Sequence, residues 1–201
     1  MKRFGTDFLE MIKGFDLEVL EKSRYSIYAL SKELKFIYFN PAWYHFAIEN
    51  DIDQTALYNI TLGSSYTKSI KGIWLKFYFR KKYKQVIKTG KTWHYQYDCS
   101  SADTYRYYLQ TVYPLNNKSG VLIVNTEMFN LQNTRMNLET FKSIKKRYVQ
   151  PNELIIICPN CKHTKRADKT GTWDWVPDWA SNSPVNTSLE ICPTCRHLFK
   201  D

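Results

Sequence analysis

The chain has 201 residues, 43% of them apolar, which is enough for one well-packed core and a small extra module and too little for two full-sized domains. A formal charge of +10 and a pI of about 9.3 draw it toward polyanions, without choosing between nucleic acid, acidic membrane and acidic protein. Lysine outnumbers arginine 21 to 8 beside abundant Ile, Tyr and Asn, so codon composition alone accounts for part of that charge.

Met1 to Asp7 reach an acid before any apolar run develops, so no secretory leader is expected. The densest aliphatic run, Leu154 to Ile157, is far short of the roughly 20 residues of a membrane-spanning helix, and no membrane span is expected. Residues 7 to 22 space Phe8, Leu9, Met11, Ile12, Phe15, Val19 and Leu20 as a short amphipathic helix interrupted at Gly14. Its apolar face needs a partner, which makes it a candidate surface for self-association. Tyr25 to Leu30 and Phe36 to Phe39 read as two strands of a hairpin. Asn40-Pro41 then pairs an N-cap residue with proline at the first helical position, opening a helix over 42 to 48.

From Ile70 to Lys88 the apolar residues Ile73, Trp74, Phe77, Tyr78 and Val86 form a wide helical stripe that Gly90 stops. The alternation Trp93, Tyr95, Tyr97, Cys99 against His94, Gln96, Asp98 gives a strand, and residues 105 to 115 and 121 to 126 give two more. Two strands, helices, then three strands suit an α+β fold: a five-stranded antiparallel sheet with helices on one face. Residues 131 to 150 read as an amphipathic connecting helix carrying Leu138, Phe141, Ile144 and Tyr148, ended by Pro151. The expected domains are therefore an N-terminal helix over 1–23, a sheet domain over 24–130, the connector over 131–150 and a cysteine module over 151–201.

Cys158, Cys161, Cys192 and Cys195 form two Cys-x-x-Cys pairs 30 residues apart. Each pair can chelate one metal from a single turn, and four soft thiolates suit tetrahedral zinc. Such a site has no open position for water, so the expected zinc is structural. His163 or His197 could replace one cysteine, and the competing reading is free thiols or a redox-active pair. A thioredoxin-like site, however, would need one Cys-x-x-Cys in an α/β setting. Trp173, Trp175 and Trp179 are expected to pack the module against the sheet.

Between Asp53 and Asp98 there is no acid, while Lys68, Lys71, Lys76, Arg80, Lys81, Lys82, Lys84, Lys88 and Lys91 lie in that interval, giving the long helix a positive solvent face. Basic faces of this kind and zinc ribbons can bind nucleic acid, although no helix-turn-helix or RNA-binding motif is present. Aromatics Trp43, Trp74, Phe77, Trp93, Tyr95 and Tyr107 are candidates to line a small-molecule pocket between helices and sheet, and the same set describes an ordinary filled core. His45 and His94 read as surface residues, and Cys99 as a buried apolar thiol. A Ser-His-Asp set, paired acids in a cleft and a phosphate-cradling glycine loop are all missing, so no enzyme activity is expected.

Residues 24 to 128 resemble a PAS domain of the bacterial sensory type. The likeness rests on Asn40-Pro41-Ala42-Trp43, Thr89-Gly90-Lys91-Thr92-Trp93, Tyr97-Asp98-Cys99-Ser100-Ser101, Arg106 and Tyr113-Pro114-Leu115, in that order. Cys158-Pro159-Asn160-Cys161-Lys162, Trp173-Asp174-Trp175-Val176-Pro177 and Ile191-Cys192-Pro193-Thr194-Cys195 are similar to a cysteine-rich tail that follows PAS domains in some bacterial signalling proteins. In that pattern a Ser-His pair often precedes the last Cys-x-x-Cys, where this chain has Ser188-Leu189. The resemblance implies a cytoplasmic sensor or adaptor that binds a small ligand or a protein partner of a signalling pathway, with homodimerisation and a structural zinc. The flavin-adduct cysteine motif of photoactive PAS domains is missing, and the long helix holds no histidine for haem. A nucleic-acid-binding regulator is the alternative.

Overall fold

The computed structural model describes residues 4–5, 7–49, 60–99, 104–132 and 139–196. Two compact units emerge: one formed by residues 1–95 and 109–126, the other by 96–108 and 127–201. The middle strands thus divide between the units.

In the first unit, α1 (Phe8–Met11) and α2 (Leu17–Lys22) are separate helices, because Gly14 takes a φ of +101° between them. Asp16 caps α2, its Oδ1 accepting from Glu18 N at 2.8 Å. Strands β1 (Ser26–Ser31) and β2 (Phe36–Phe39) form the expected hairpin and lead into α3 (Pro41–Glu49). The long helix α4 (Ile73–Thr89) ends at Gly90, whose φ of +72° is the left-handed stop the sequence calls for. Strands β3 (Trp93–Asp98), β4 (Thr104–Pro114) and β5 (Gly120–Gln132) complete a five-stranded antiparallel sheet in the order β2-β1-β5-β4-β3.

The register Ala29↔Leu122 and Tyr28↔Ile123 assigns side chains to faces. On one face, Phe8, Ile12 and Leu20 from α1 and α2 bury against Ile27, Ala29, Tyr38 and Leu122. On the other, Tyr83 of α4 reaches Tyr28 of β1 and Gln110 of β4. Helices therefore cover both faces, not one as expected. Alternating strand residues on both sides are apolar, and a sheet of this kind needs two layers over it. The N-terminal helices bury Phe8, Ile12 and Leu20 in this contact and leave Leu9 and Val19 of the expected apolar face exposed.

Asn40 is the junction of the first unit. Fully buried, its side-chain oxygen accepts from Ile27 N at 2.9 Å and Trp43 N at 3.0 Å. Its amide nitrogen donates to the carbonyls of Tyr25 at 2.8 Å, Leu20 at 3.2 Å and Ser23 at 3.4 Å. One side chain thus caps α3 and fastens α2 to β1. Gly120 is required for a different reason: a Cβ there would lie 2.0 Å from the Leu30 carbonyl oxygen.

The second unit contains a turn of helix, α5 (Lys145–Tyr148), then β6 (Ile155–Ile157), β7 (Thr164–Lys165), β8 (Trp173–Asp174), α6 (Pro177–Ser181), β9 (Thr187–Leu189) and α7 (Pro193–Arg196). Its small sheet has the order β8-β7-β6-β9, with β9 parallel to β6. Tyr148, Ile155, Ile157, Val176 and Trp179 form its core. Trp175 and Trp179 are buried inside this unit and Trp173 is half-buried, so the module has a core of its own. Among the described residues of the connecting helix expected over 131–150, α5 alone is α-helical. Residues 131–132 end β5, Phe141 N donates to the Trp175 carbonyl at 3.0 Å in an extended segment, and Leu138 lies outside the described residues. No helix among the described residues is long and apolar enough to cross a membrane.

Candidate metal centre

Strands β6 and β9 run parallel with Ile157 opposite Leu189, so the chain leaves both at the same end. Cys158 follows β6 at once and Cys192 comes three residues after β9. That register carries the two Cys-x-x-Cys turns to one place, and all four sulfurs lie within 4.8 Å of one another. Cys158, Cys192 and Cys195 are buried and Cys161 is half-buried.

Each turn has its own closure. Lys162 N donates to the Cys158 carbonyl at 2.9 Å and Cys158 N to the His163 carbonyl at 2.8 Å, with Lys162 at a φ of +63°. In the second turn Pro193 starts α7, and Arg196 N donates to the Cys192 carbonyl at 2.9 Å. Backbone N–H groups also point at sulfur: Cys195 N lies 3.4 Å from Cys192 Sγ and Cys192 N lies 3.5 Å from Cys158 Sγ. Asn160, a residue that spacing alone does not single out, donates from its buried side chain to Cys195 Sγ at 3.3 Å.

These contacts favour the thiolate. Hydrogen bonds from Cys161, then Cys192 and Cys195, hold the Cys158 thiol far below its ordinary value. The same crowding, with Cys158 the foremost cause, pushes Cys161 and Cys195 up. Four thiols so close cannot all ionise without a cation among them. A metal with metal–sulfur bonds of about 2.3 Å in a tetrahedron would set its sulfurs about 3.8 Å apart, and Cys161 and Cys192 stand at 3.6 Å. The donor set and its spacing therefore fit a metal ion such as zinc. His163 faces elsewhere: its Nδ1 is 3.2 Å from the Cys161 carbonyl and its ring 5.6 Å from Trp175. His197 lies outside the described residues.

The six expected pocket residues are placed as follows. Trp93 and Tyr95 stack at 5.6 Å and meet Phe79 of α4 edge-on, at 6.0 and 5.1 Å. Trp43 packs on Phe39 at 4.3 Å. Tyr107 belongs to the second unit and donates to Gln96 Oε1 at 3.2 Å. Trp74 and Phe77 are 46% and 65% exposed, with Ile73 at 71%, while Leu75, Phe79, Tyr83, Val86 and Ile87 form the buried stripe of α4.

Lys82 also departs from expectation. It is buried, its ammonium 5.6 Å from the Tyr78 ring centre and 5.7 Å from that of Trp93. The solvent face of α4 carries Arg80, Lys81, Lys84 and Lys88 instead. From the half-buried Tyr28 a continuous polar chain runs inward through the buried Tyr83, Gln110 and Asn125, with Tyr83 donating to Gln110 Oε1 at 3.1 Å and Gln110 Nε2 to Asn125 Oδ1 at 3.0 Å. Its members were not foreseen, since Gln and Asn in a strand carry no spacing signal. Burial pushes the Tyr28 hydroxyl up to about 12. Cys99 is half-buried and its thiol raised by that burial, and His45 and His94 are exposed.

No protein-family model matches the chain, and no curated protein matches it. Among solved structures, the crystal structure of the phage VqmA-DPO complex aligns with a TM-score of 0.40 at 11% identity, over 56% of this chain and 50% of that one. The chain thus spans about half the length of that structure, and a likeness of this extent establishes neither a shared fold nor a shared ligand.

Proposed function

We propose that this chain is a non-catalytic sensor or adaptor of a signalling pathway, in which a PAS-like sheet domain takes a small ligand or a protein partner and a zinc-stapled module follows it. The observation that carries this reading is the cluster of four cysteine sulfurs within 4.8 Å. All four donors come from the chain, so a bound zinc would have no open position for water and would act as a staple. The hairpin, helical middle and three terminal strands support the PAS-like part, and a reducing cytoplasm suits four unpaired thiols. Dimerisation belongs to the same proposal. The experiment is native mass spectrometry of untagged protein purified without chelator. One zinc per chain with a small organic species supports a sensor, one zinc alone an adaptor, and no metal refutes the staple.

A second reading rests on the exposed Arg80, Lys81, Lys84 and Lys88 of α4, a face suited to nucleic acid. It requires binding that collapses with salt and weakens in Lys81→Gln/Lys84→Gln. Binding insensitive to both would remove it.

A further inference from the structure

The second unit holds a cavity of about 530 Å³ that the four cysteines do not line. Four aromatic side chains, Tyr105, Phe141, Trp173 and Trp175, contribute to its walls. Three carboxylates, Asp98, Glu139 and Asp174, and two fixed cations, Arg166 and Lys169, complete its charged groups. In a chain of net charge +10, this is a local excess of acid.

Two further cations stand against the cavity's rings without lining it, Arg147 at 6.0 Å from the Phe141 ring centre and Lys165 at 5.9 Å from that of Trp173, so the excess of acid is a property of the lining residues alone. Arg166 is clamped by Asp168, with Nε and Nη2 at 2.8 and 2.9 Å from its two oxygens. Its guanidinium is therefore engaged outside the set of cavity carboxylates, though Asp174 lies 3.8 Å from its Nε. Lys169 is exposed in the turn between β7 and β8. Asp174 is buried and accepts from Tyr148 at 2.8 Å, which fixes it in place, whereas Glu139 is exposed and makes no ion pair among the described residues. Ring faces are negative, and an organic cation enclosed by several of them gains from each. The volume suits a ligand of modest size, since small-molecule sites run from about 300 to 1,000 Å³.

We propose that the aromatic cavity of the second unit, bounded by Trp173, Trp175, Tyr105 and Phe141 and supplied with carboxylate by Asp98 and Glu139, is a binding site for an organic cation bearing an alkylated ammonium group. This goes beyond the reading above, which puts ligand recognition in the sheet domain. The site is framed by segments tied to the cysteine module: Trp175 holds Phe141 N at its carbonyl, and His163, two residues after Cys161, packs on the Trp175 ring.

The test is calorimetry on the full zinc-loaded chain with benzyltrimethylammonium, using benzyl alcohol as neutral control and benzoate as anionic control. The ammonium should bind about tenfold tighter than benzyl alcohol. Glu139→Gln should weaken it about threefold, and Trp173→Leu about tenfold, with zinc content unchanged. Glu139 is exposed, so its variant stays interpretable if Trp173→Leu fails to fold. Benzoate or benzyl alcohol binding as tightly as the ammonium, no binding of the ammonium, or an unaltered affinity in Glu139→Gln would each overturn the proposal. Zinc content is read separately, so failure here is distinct from failure of the metal-staple reading.

Discussion

Replacing Asn40 by alanine removes one side chain to which five backbone groups are hydrogen-bonded. The Ile27 N–H loses its acceptor at 2.9 Å in a buried setting, while the Trp43 N–H loses the side-chain acceptor at 3.0 Å and keeps the Asn40 backbone carbonyl at 3.2 Å. A buried polar group without a partner costs about 1–3 kcal/mol. Counting the Ile27 donor in full and part of the loss at Trp43 N and at the Tyr25, Leu20 and Ser23 carbonyls gives about 2–4 kcal/mol. That is a large fraction of the 5–15 kcal/mol typical of a whole domain. Asn40→Asp separates the two halves of the role, because the carboxylate still caps α3 but sets negative charge against three carbonyl oxygens. Urea unfolding followed by fluorescence gives the size of the effect, and hydrogen exchange at the Ile27 and Trp43 amides gives its place. Alanine should accelerate exchange at both amides, and aspartate should spare Trp43 more than the β1 entry. A loss below about 1 kcal/mol in Asn40→Ala, with both amides still protected, would refute the junction.

Three more outcomes follow from the same structure. Gly120→Ala drives a Cβ to 2.0 Å from the Leu30 carbonyl oxygen and should cost about 3 kcal/mol by thermal or urea unfolding; a neutral result would contradict the β1–β5 register. Tyr28 and Tyr148 have hydroxyls pushed up to about 12, mainly by burial, against 10.0 unfolded. The folded chain keeps these protons after the unfolded chain has lost them, so their contribution is whole below pH 10 and lost as pH rises from 10 to 12. Alkaline unfolding should steepen in that window and become shallower in Tyr28→Phe; a slope unaltered by that change would count against the assignment. Cys161→Ser should release the metal and loosen the core around Tyr148 and Trp179, whereas Cys99→Ser should retain the metal, as mass and near-UV circular dichroism would record.

Local chemistry explains which parts were readable in the chain. Asn40-Pro41 announces a helix start because the side chain and the fixed φ of proline act within one turn, and Gly90 announces a stop for a similarly local reason. The Cys-x-x-Cys pairs declared their chemistry, since two donors per turn need no distant context. What joins the pairs, the parallel β6–β9 register, pairs residues 32 positions apart and left no mark on spacing. The buried face of α4 was misread because Ile73, Trp74 and Phe77 are as apolar as the residues that face inward, and Lys82 hides its stem among aromatic rings. In the segment before Pro151, Phe141, Ile144 and Tyr148 recur at helical intervals, yet pairing with Trp175 holds Phe141 extended. The aromatic cavity could not be foreseen at all, because its walls come from several segments that only folding brings together.

The metal centre is the claim on which the account of the second unit stands, and X-ray absorption at the zinc edge on protein purified without chelator addresses it directly. Four sulfur neighbours at about 2.3 Å, one zinc per chain and no nitrogen or oxygen in the first shell are the predicted result. A chain that carries no metal, or a shell in which an imidazole or water replaces one of Cys158, Cys161, Cys192 or Cys195, would contradict it.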